Sequence, residues 1–305
     1  MQIYYGGADI TADVSVAQAT AQDCEGGRAD RVELRFTDVE ALWPRWRPRQ
    51  GDELRLRHGH YDSGVMYIDR IALERDTCTL QAVSSPAGVR QPGWQAWEAV
   101  TLKRVLAELC ARHGLELSMY DVPDVSYPRL RQDGQCDLDW LAYRCMLECC
   151  ALKVMGWRAV VYGVRQREAS APVRTLDLAG AVGYRYEDRA ADRLASYAVM
   201  SGATYAICFD KSGDACRGGA RAERALPAFS VGEATRYAYG LLREHNKLAC
   251  TLDVTLELAD GVYAAGETVR VTGDRMMAGT WFIHAVRYDF LRGAAQLTLR
   301  RCLTW

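Results

Sequence analysis

Cys145, Cys149 and Cys150 are close enough in the chain to suggest thiolate ligands for a metal ion. Zinc takes four ligands, usually as two close pairs. Here Cys145 and Cys149 stand four residues apart on an apolar stripe, which is the spacing of a helix core, so they are expected to be buried thiols and not ligands. His58 and His60 lie two apart near Asp62, which would place both on one side of a strand. No third ligand is evident among only five histidines, and a solvated edge or turn is the expectation for this pair. In CFDKSGDAC, Cys208 and Cys216 flank a turn that a disulfide could span, although a reducing compartment favours two thiols. Ser201-Gly202 and Ser212-Gly213 lack the G-x-S-x-G elbow, and there is no glycine-rich phosphate loop. No catalytic, cofactor-binding or metal-binding residue is therefore expected, and no cofactor. The remaining cluster is Trp43, Trp46, Arg47 and Arg49 in ALWPRWRPRQ. Rigid aromatics beside guanidinium groups are the side chains of interface hot spots, so these four are the interface candidates. In the competing assignment Trp43 covers a barrel end and the arginines face water.

The elements that must position these residues are mostly strands. Val32, Leu34 and Phe36 alternate with Glu33 and Arg35, and Leu54 and Leu56 alternate with Glu53, Arg55 and Arg57. GVMYIDRIALE (64–74) and TCTLQAVSS (77–85) continue the pattern, and Pro and Gly cluster at SSPAGVRQPGW (84–94). The character then changes. Leu102, Val105, Leu106, Leu109, Cys110 and His113 trace one face of a helix, with Gly114 at the left-handed cap position. A second helix carries Leu138, Leu141, Ala142, Cys145 and Cys149 on one stripe, and ALKVMGWRAVVYG (151–163) reads as a hairpin turning near Met155-Gly156. From about residue 173 strands resume, interrupted by a third helix whose start is marked by Ser230 and Glu233 at capping-box spacing.

The expected fold class is α+β, mainly β. Two similar small β-barrel tube domains span 1–95 and 166–305, the second with a helical segment at 230–247, and an α/β module at 96–165 lies between them. Length permits two or more domains with a large core. Lys plus Arg (38) against Asp plus Glu (39) leaves a net charge of −1, so no global field draws the chain to nucleic acid or an anionic membrane. Neither a signal peptide nor a span of ~20 apolar residues is visible, and eleven cysteines, an odd number, fit a reducing compartment. Synthesis in the cytosol is expected.

The two strand-rich ends repeat each other. GDELRLR (51–57) matches GETVRV (266–271); Gly64 follows Gly51 by thirteen residues, as Gly279 follows Gly266. Ile68 and Ile283 then fall at the same place, each after an aromatic, Tyr67 and Phe282, and Thr79-Leu80 and Thr298-Leu299 close the two sets. Shared spacing over three strands points to duplication. Three copies of such a chain present six similar faces about one axis, which can join a six-fold ring to a three-fold one.

In this order, TDVEALWPRWRPRQGDELRLR, SGVMYIDRI, TLKRVLAELCARHGLEL and YPRLRQDGQCDLDWLAYRCMLECCALKVMGWRAVVY resemble the late control protein D family, the baseplate hub of contractile phage tails and related injection machines. AFSVGEATRYAYGLLREHNK and WFIHAVRYDF resemble its C-terminal half, so the likeness runs from about residue 8 to 303. The resemblance implies a homotrimeric, non-enzymatic hub whose two barrels per chain build a pseudo-hexameric ring between the tail tube protein and the spike protein, with other baseplate proteins as neighbours. It implies a place in a virion or headless tail-like particle, while the charge balance and the lack of a long apolar span lead to the expectation of no specific nucleic-acid binding and no stable membrane insertion. Because the sequence stops at Trp305, spike and any hydrolase are expected on separate polypeptides. Cys136, in QCDLDW, stands where the family more often has a small hydroxyl residue at the helix cap. A cell-envelope hydrolase and a monomeric ligand-binding module are the alternatives.

Overall fold

The computed structural model describes residues 1–212, 219–258 and 261–305; the Cys208–Cys216 and Ser212-Gly213 pairs reach outside that set. In the first half, alternation builds the sheet: Val32, Leu34 and Phe36 are fully buried on one face of β4 while Arg31 and Arg35 stay in water. The elements are β1 (Gln2–Tyr5), β2 (Ala8–Asp9), β3 (Ser15–Cys24), β4 (Arg31–Thr37), α1 (Leu42–Trp46), β5 (Glu53–His58), β6 (Tyr61–Asp62), β7 (Met66–Glu74) and β8 (Thr77–Val83). They pair antiparallel in the order β3-β4-β8-β7-β5-β1-β2, with β6 folded back on β5.

The module that follows begins with β9 (Pro92–Thr101), so the expected break between residues 95 and 96 falls inside one strand. Next come α2 (Leu102–Arg112), β10 (Glu116–Tyr120), β11 (Ser126–Cys136), α3 (Asp137–Leu147), β12 (Cys150–Met155), β13 (Arg158–Gly163) and α4 (Val164–Glu168). Thr101 caps α2 by accepting from the Arg104 amide at 3.3 Å, and Gly114 ends it at φ 66°. β9 and β11 form a two-stranded ribbon. In the sheet β10-β13-β12, Leu152, Val154, Ala159 and Val161 turn toward Val105, Leu106, Leu109 and Cys145 to make a second core. The predicted turn at Gly156 is present, at φ 60°.

The second half holds β14 (Arg174–Asp177), β15 (Gly183–Asp188), β16 (Leu194–Ser201), β17 (Thr204–Phe209), β18 (Ala220–Ala225), α5 (Val231–Asn246), β19 (Cys250–Glu257), β20 (Thr268–Thr272), β21 (Gly279–Asp289) and β22 (Ala294–Arg301). Its order β15-β19-β22-β21-β20 repeats β3-β4-β8-β7-β5 strand for strand. The details coincide as well. Gly51 (φ 89°) and Gly266 (φ 90°) donate to the carbonyls of Ile68 and Ile283, whose amides return to Asp52 and Glu267. Each pair of last strands carries a register shift at the same place, Ile68/Arg70 and Ile283/Ala285. The halves differ at the next strand: β1 runs antiparallel to β5, β14 parallel to β20.

The two halves are joined edge to edge, residues 285–289 of β21 pairing with 20–24 of β3, so the sheet runs continuously from β15 to β2. One apolar core serves both. The connection between β15 and β19 holds a small sheet, β17-β16-β18, with α5 against it; Ala234, Tyr237, Ala238 and Leu241 of α5 enter the module's core. β16, β17 and α5 therefore pack with the module although the sequence places them within 166–305.

Candidate functional site

Of the four interface candidates, Trp43 lies in the core. Asp38 accepts from the amides of Leu42 (2.7 Å) and Trp43 (3.3 Å), starting α1, and the Trp43 ring packs against Phe36 (4.7 Å) and edge-on to Trp46 (5.1 Å). Trp46 is half-buried beside it, while Arg47 and Arg49 are exposed. His58 and His60 do not share a strand face: a tight turn leads from β5 to β6, with His58 at the end of β5 against Phe290 and His60 in the turn. Asp62 is engaged by Arg55, whose Nε donates at 2.8 Å. Cys145 and Cys150 are buried, and burial pushes the Cys150 thiol up to about 12, the reverse of an activated thiolate. Among the described residues no group of three or more His, Cys, Asp or Glu side chains is placed to hold a metal ion.

The charge chemistry lies where the halves, the module and α5 meet. Arg300 of β22, 1% exposed, donates through Nε to Glu25 (2.9 Å) and through Nη1 to Glu168 at the end of α4 (2.5 Å). Arg243 of α5 donates to the other oxygen of Glu168 at 2.5 Å, and Lys247 reaches Glu25 at 2.8 Å. The Arg300 guanidinium also lies 4.2 Å from the centre of the Phe282 ring. Burial works to raise the Glu25 carboxyl, but Arg300, His284 and Lys247 outweigh it and hold the group well below the usual carboxylate range. Such a paired set fastens four segments of chain; removing either carboxylate leaves buried guanidinium charge short of a partner.

A second cluster opens onto a cleft of about 490 Å³ between the first half, the module and the 262–267 segment. Lys153 of β12 donates to Asp23 of β3 and lies 3.5 Å from Asp30; Asp23 also accepts from the Ala265 amide at 2.8 Å, and Asp30 from the Cys24 amide at 3.0 Å. Burial raises the Asp30 carboxyl, Lys153 opposes the rise, and Asp23 adds to it, leaving the group at about 7. Asp30 thus holds its proton more tightly than a free carboxyl at a three-way junction.

The third feature is a pair of open sheet edges. Among the described residues, β15 pairs only with β19, and residues 70–74 of β7 pair only with β8. Leu73 is 50% and Tyr184 49% exposed along these edges. Unpaired N–H and C=O rows of this kind template further strand pairing.

Sequence reading missed all three features, although one left a signal. Asp23 continues the inward alternation of Ala19 and Ala21 and so places charge on the inward face of its strand.

No family model and no curated protein matches the chain. Solved structures do. The 43 kDa tail protein of prophage MuSo2 from Shewanella oneidensis superposes with a TM-score of 0.79 at 13% identity, covering 99% of this chain and 98% of that one. A tail protein from Neisseria meningitidis MC58 gives 0.78 at 13% identity, covering 100% and 96%. An E. coli component of the type VI secretion system, described as structurally similar to T4 bacteriophage tail proteins gp27 and gp5, gives 0.61 at 12% identity, covering 98% and 76%. The chain has the tail-protein fold over its whole length.

Proposed function

We propose that the chain is a structural subunit of a contractile tail baseplate, a hub of which three copies form a ring of six similar β units. In that role it adapts the hexameric tail tube to the trimeric spike and contacts other baseplate proteins. Residues 1–95 and 166–305 supply the two tube units and 96–165 the module, with β16, β17 and α5 packed on it. The chain acts by assembly and not by catalysis, in a phage or tail-like particle made in the bacterial cytoplasm. The exposed Arg47 and Arg49, with Trp46 behind them, are candidate contacts to a neighbour.

The junction of β21 with β3 carries this reading. It shows how one half receives the edge of the other, and duplication leaves the equivalent edges, β7 and β15, open on opposite halves. An interface made between unlike edges is heterologous and closes into a ring when its rotation allows. Resemblance to tail proteins over nearly their full length supports the setting.

The test is native mass together with negative-stain imaging, for the chain alone and mixed with the tube protein. A trimer with six-lobed end views is expected. A monomer under both conditions overturns the proposal, and clearing of bacterial cell walls on a zymogram by the chain alone would support a hydrolase instead.

A further inference from the structure

Rows of paired residues run across the two halves in parallel. In the first, Ile71, Leu80, Leu34 and Ala19 face one another across β7, β8, β4 and β3; in the second, Val286, Leu297, Val254 and Tyr184 do so across β21, β22, β19 and β15. Val286 then pairs across the internal junction with Asp23, four residues beyond Ala19. The residue four beyond Tyr184 is Asp188, so both outer strands present an aspartate at that point.

Exposure marks the same positions. Tyr288, Ala19 and Ala21, which meet at the internal junction, are 0%, 0% and 2% exposed. Their counterparts Leu73, Tyr184 and Tyr186 lie along open edges, with Leu73 and Tyr184 about half exposed. Bulk changes sides as well. Tyr288 faces Ala21 inside the chain, whereas on the open edges the smaller Leu73 is on β7 and the larger Tyr186 on β15. Two edges that carry the counterparts of a buried contact, with the aromatic ring now on β15, fit each other rather than an unrelated strand.

We infer that β7 of one copy pairs antiparallel with β15 of the next in one register, Ile71 opposite Asp188, Leu73 opposite Tyr186 and Glu74 opposite Arg185. The partner of this surface is a second copy of the chain, and the inference rests on the ring proposed above. Charge agrees with the register. Glu74 meets Arg185 directly, and Arg70 lies diagonal to Glu187. Arg70 falls opposite Arg189, whose guanidinium is already held by Glu187 (2.7 Å) and Asp192 (3.2 Å). Inside the chain Phe290 donates to the Ala19 carbonyl and Glu25 to that of His284, which makes Arg287 and Gln22 a non-hydrogen-bonded pair. Their counterparts Ala72 and Glu187 inherit that closer spacing, about 4.5 Å between Cα atoms.

The experiment is disulfide trapping in the full chain, alone and with the tube protein, against the parent's own cysteines as background. The double variant Ala72→Cys with Glu187→Cys is expected to give covalent dimers and trimers on a non-reducing gel, lost on reduction. The two-residue slip, Ala72→Cys with Arg185→Cys, is expected to give at least roughly fivefold less. Equal or stronger trapping by the slipped pair, or no trapping while native mass shows a trimer, overturns the register and leaves the ring standing. Absence of any oligomer by native mass overturns the ring itself and the register with it. Should the cysteine variants misfold, the swap Glu74→Arg with Arg185→Glu decides. Each single change is expected to weaken assembly about two- to fivefold and the double to restore it; failure of restoration overturns the pairing.

Discussion

The first and second halves share five strands in one order, down to the glycine at φ near 90° and the bulge after the isoleucine, yet they differ at the matching position on their last strand. Val83 closes β8 against the core, while the corresponding residue of β22 is Arg300, buried among Glu25, Glu168 and Phe282. Connections differ too: residues 25–30 link β3 to β4, whereas 189–249 link β15 to β19 and contain a sheet and a helix. Strand geometry tolerates little change because pairing fixes register, whereas connections lie outside the ladder and accept insertions at small entropic cost. The buried arginine is where the second half meets what was inserted: its two carboxylate partners come from the start of the β3–β4 connection and from the end of the module.

Replacing Arg300 with Leu should therefore have the largest effect, making the second half resemble the first while taking from two buried carboxylates the cation they share, so that Glu168 keeps Arg243 and Glu25 keeps Lys247. A loss of about 3–5 kcal/mol in denaturant unfolding is expected. The Glu25 contribution is present above the ordinary carboxyl value and is lost as pH falls below it, because the folded group titrates lower. The variant should accordingly lose less stability on acidification than the parent. A loss below about 1 kcal/mol would mean that the β21–β3 ladder and the shared apolar core hold the halves together without help from this cluster.

The matched glycines sharpen the comparison. Gly51→Ala must place a Cβ at φ 89° with nothing within 4 Å, so strain alone should cost about 1–2 kcal/mol. At Gly266 the same Cβ meets the Tyr162 hydroxyl at 3.1 Å, and that hydroxyl donates to the Glu25 carbonyl. Gly266→Ala should cost about 1 kcal/mol more than Gly51→Ala. Equal costs in thermal unfolding would show that the module yields freely at this contact.

Asp30 tests the opposite linkage sign. Its folded value of about 7 exceeds the ordinary 3.8, so between those values the folded state holds the extra proton and stability falls as pH rises. Asp30→Asn removes that term. The variant should gain on the parent from about pH 4 to about 7, by about 1 kcal/mol or more, and the difference should be flat above. A constant difference across that range would mean that Lys153 keeps Asp30 ionised throughout.

Much of this arrangement was legible in sequence because it is periodic. Alternation located β4, β5, β7, β8 and β19–β22, and helical spacing with caps located α2, α3 and α5. The duplication was visible at Gly51 and Gly266 because a positive φ restricts residue type strongly. The Arg300 cluster was not legible, since nothing local distinguishes Arg300 from Arg301; only the approach of Glu25 and Glu168, distant in sequence, makes one buried. Trp43 admitted two assignments for a related reason: an aromatic beside arginines suits an interface or a barrel end equally, and only the turn of α1 onto Phe36 places it inward. The β9 boundary was misplaced because Pro and Gly at 84–94 signal an edge without saying on which side the next strand begins.

The smallest effect concerns helices that the first half lacks. α5 starts at Ser230, whose hydroxyl accepts from the Glu233 amide at 3.1 Å, while Glu233 accepts from the Phe229 amide, one residue outside the usual reciprocal bond. α3 starts at Cys136, whose sulfur accepts from the Asp139 amide at 3.4 Å. Sulfur is the weaker acceptor, and Asp137 and Asp139 already favour this helix end through the helix dipole. Cys136→Ser should add a few tenths to about 1 kcal/mol, and Ser230→Ala should remove about 1 kcal/mol. If instead Cys136→Ser destabilises the protein in thermal unfolding, the thiol serves there as half-buried apolar volume, and the two helix starts differ in kind and not in strength.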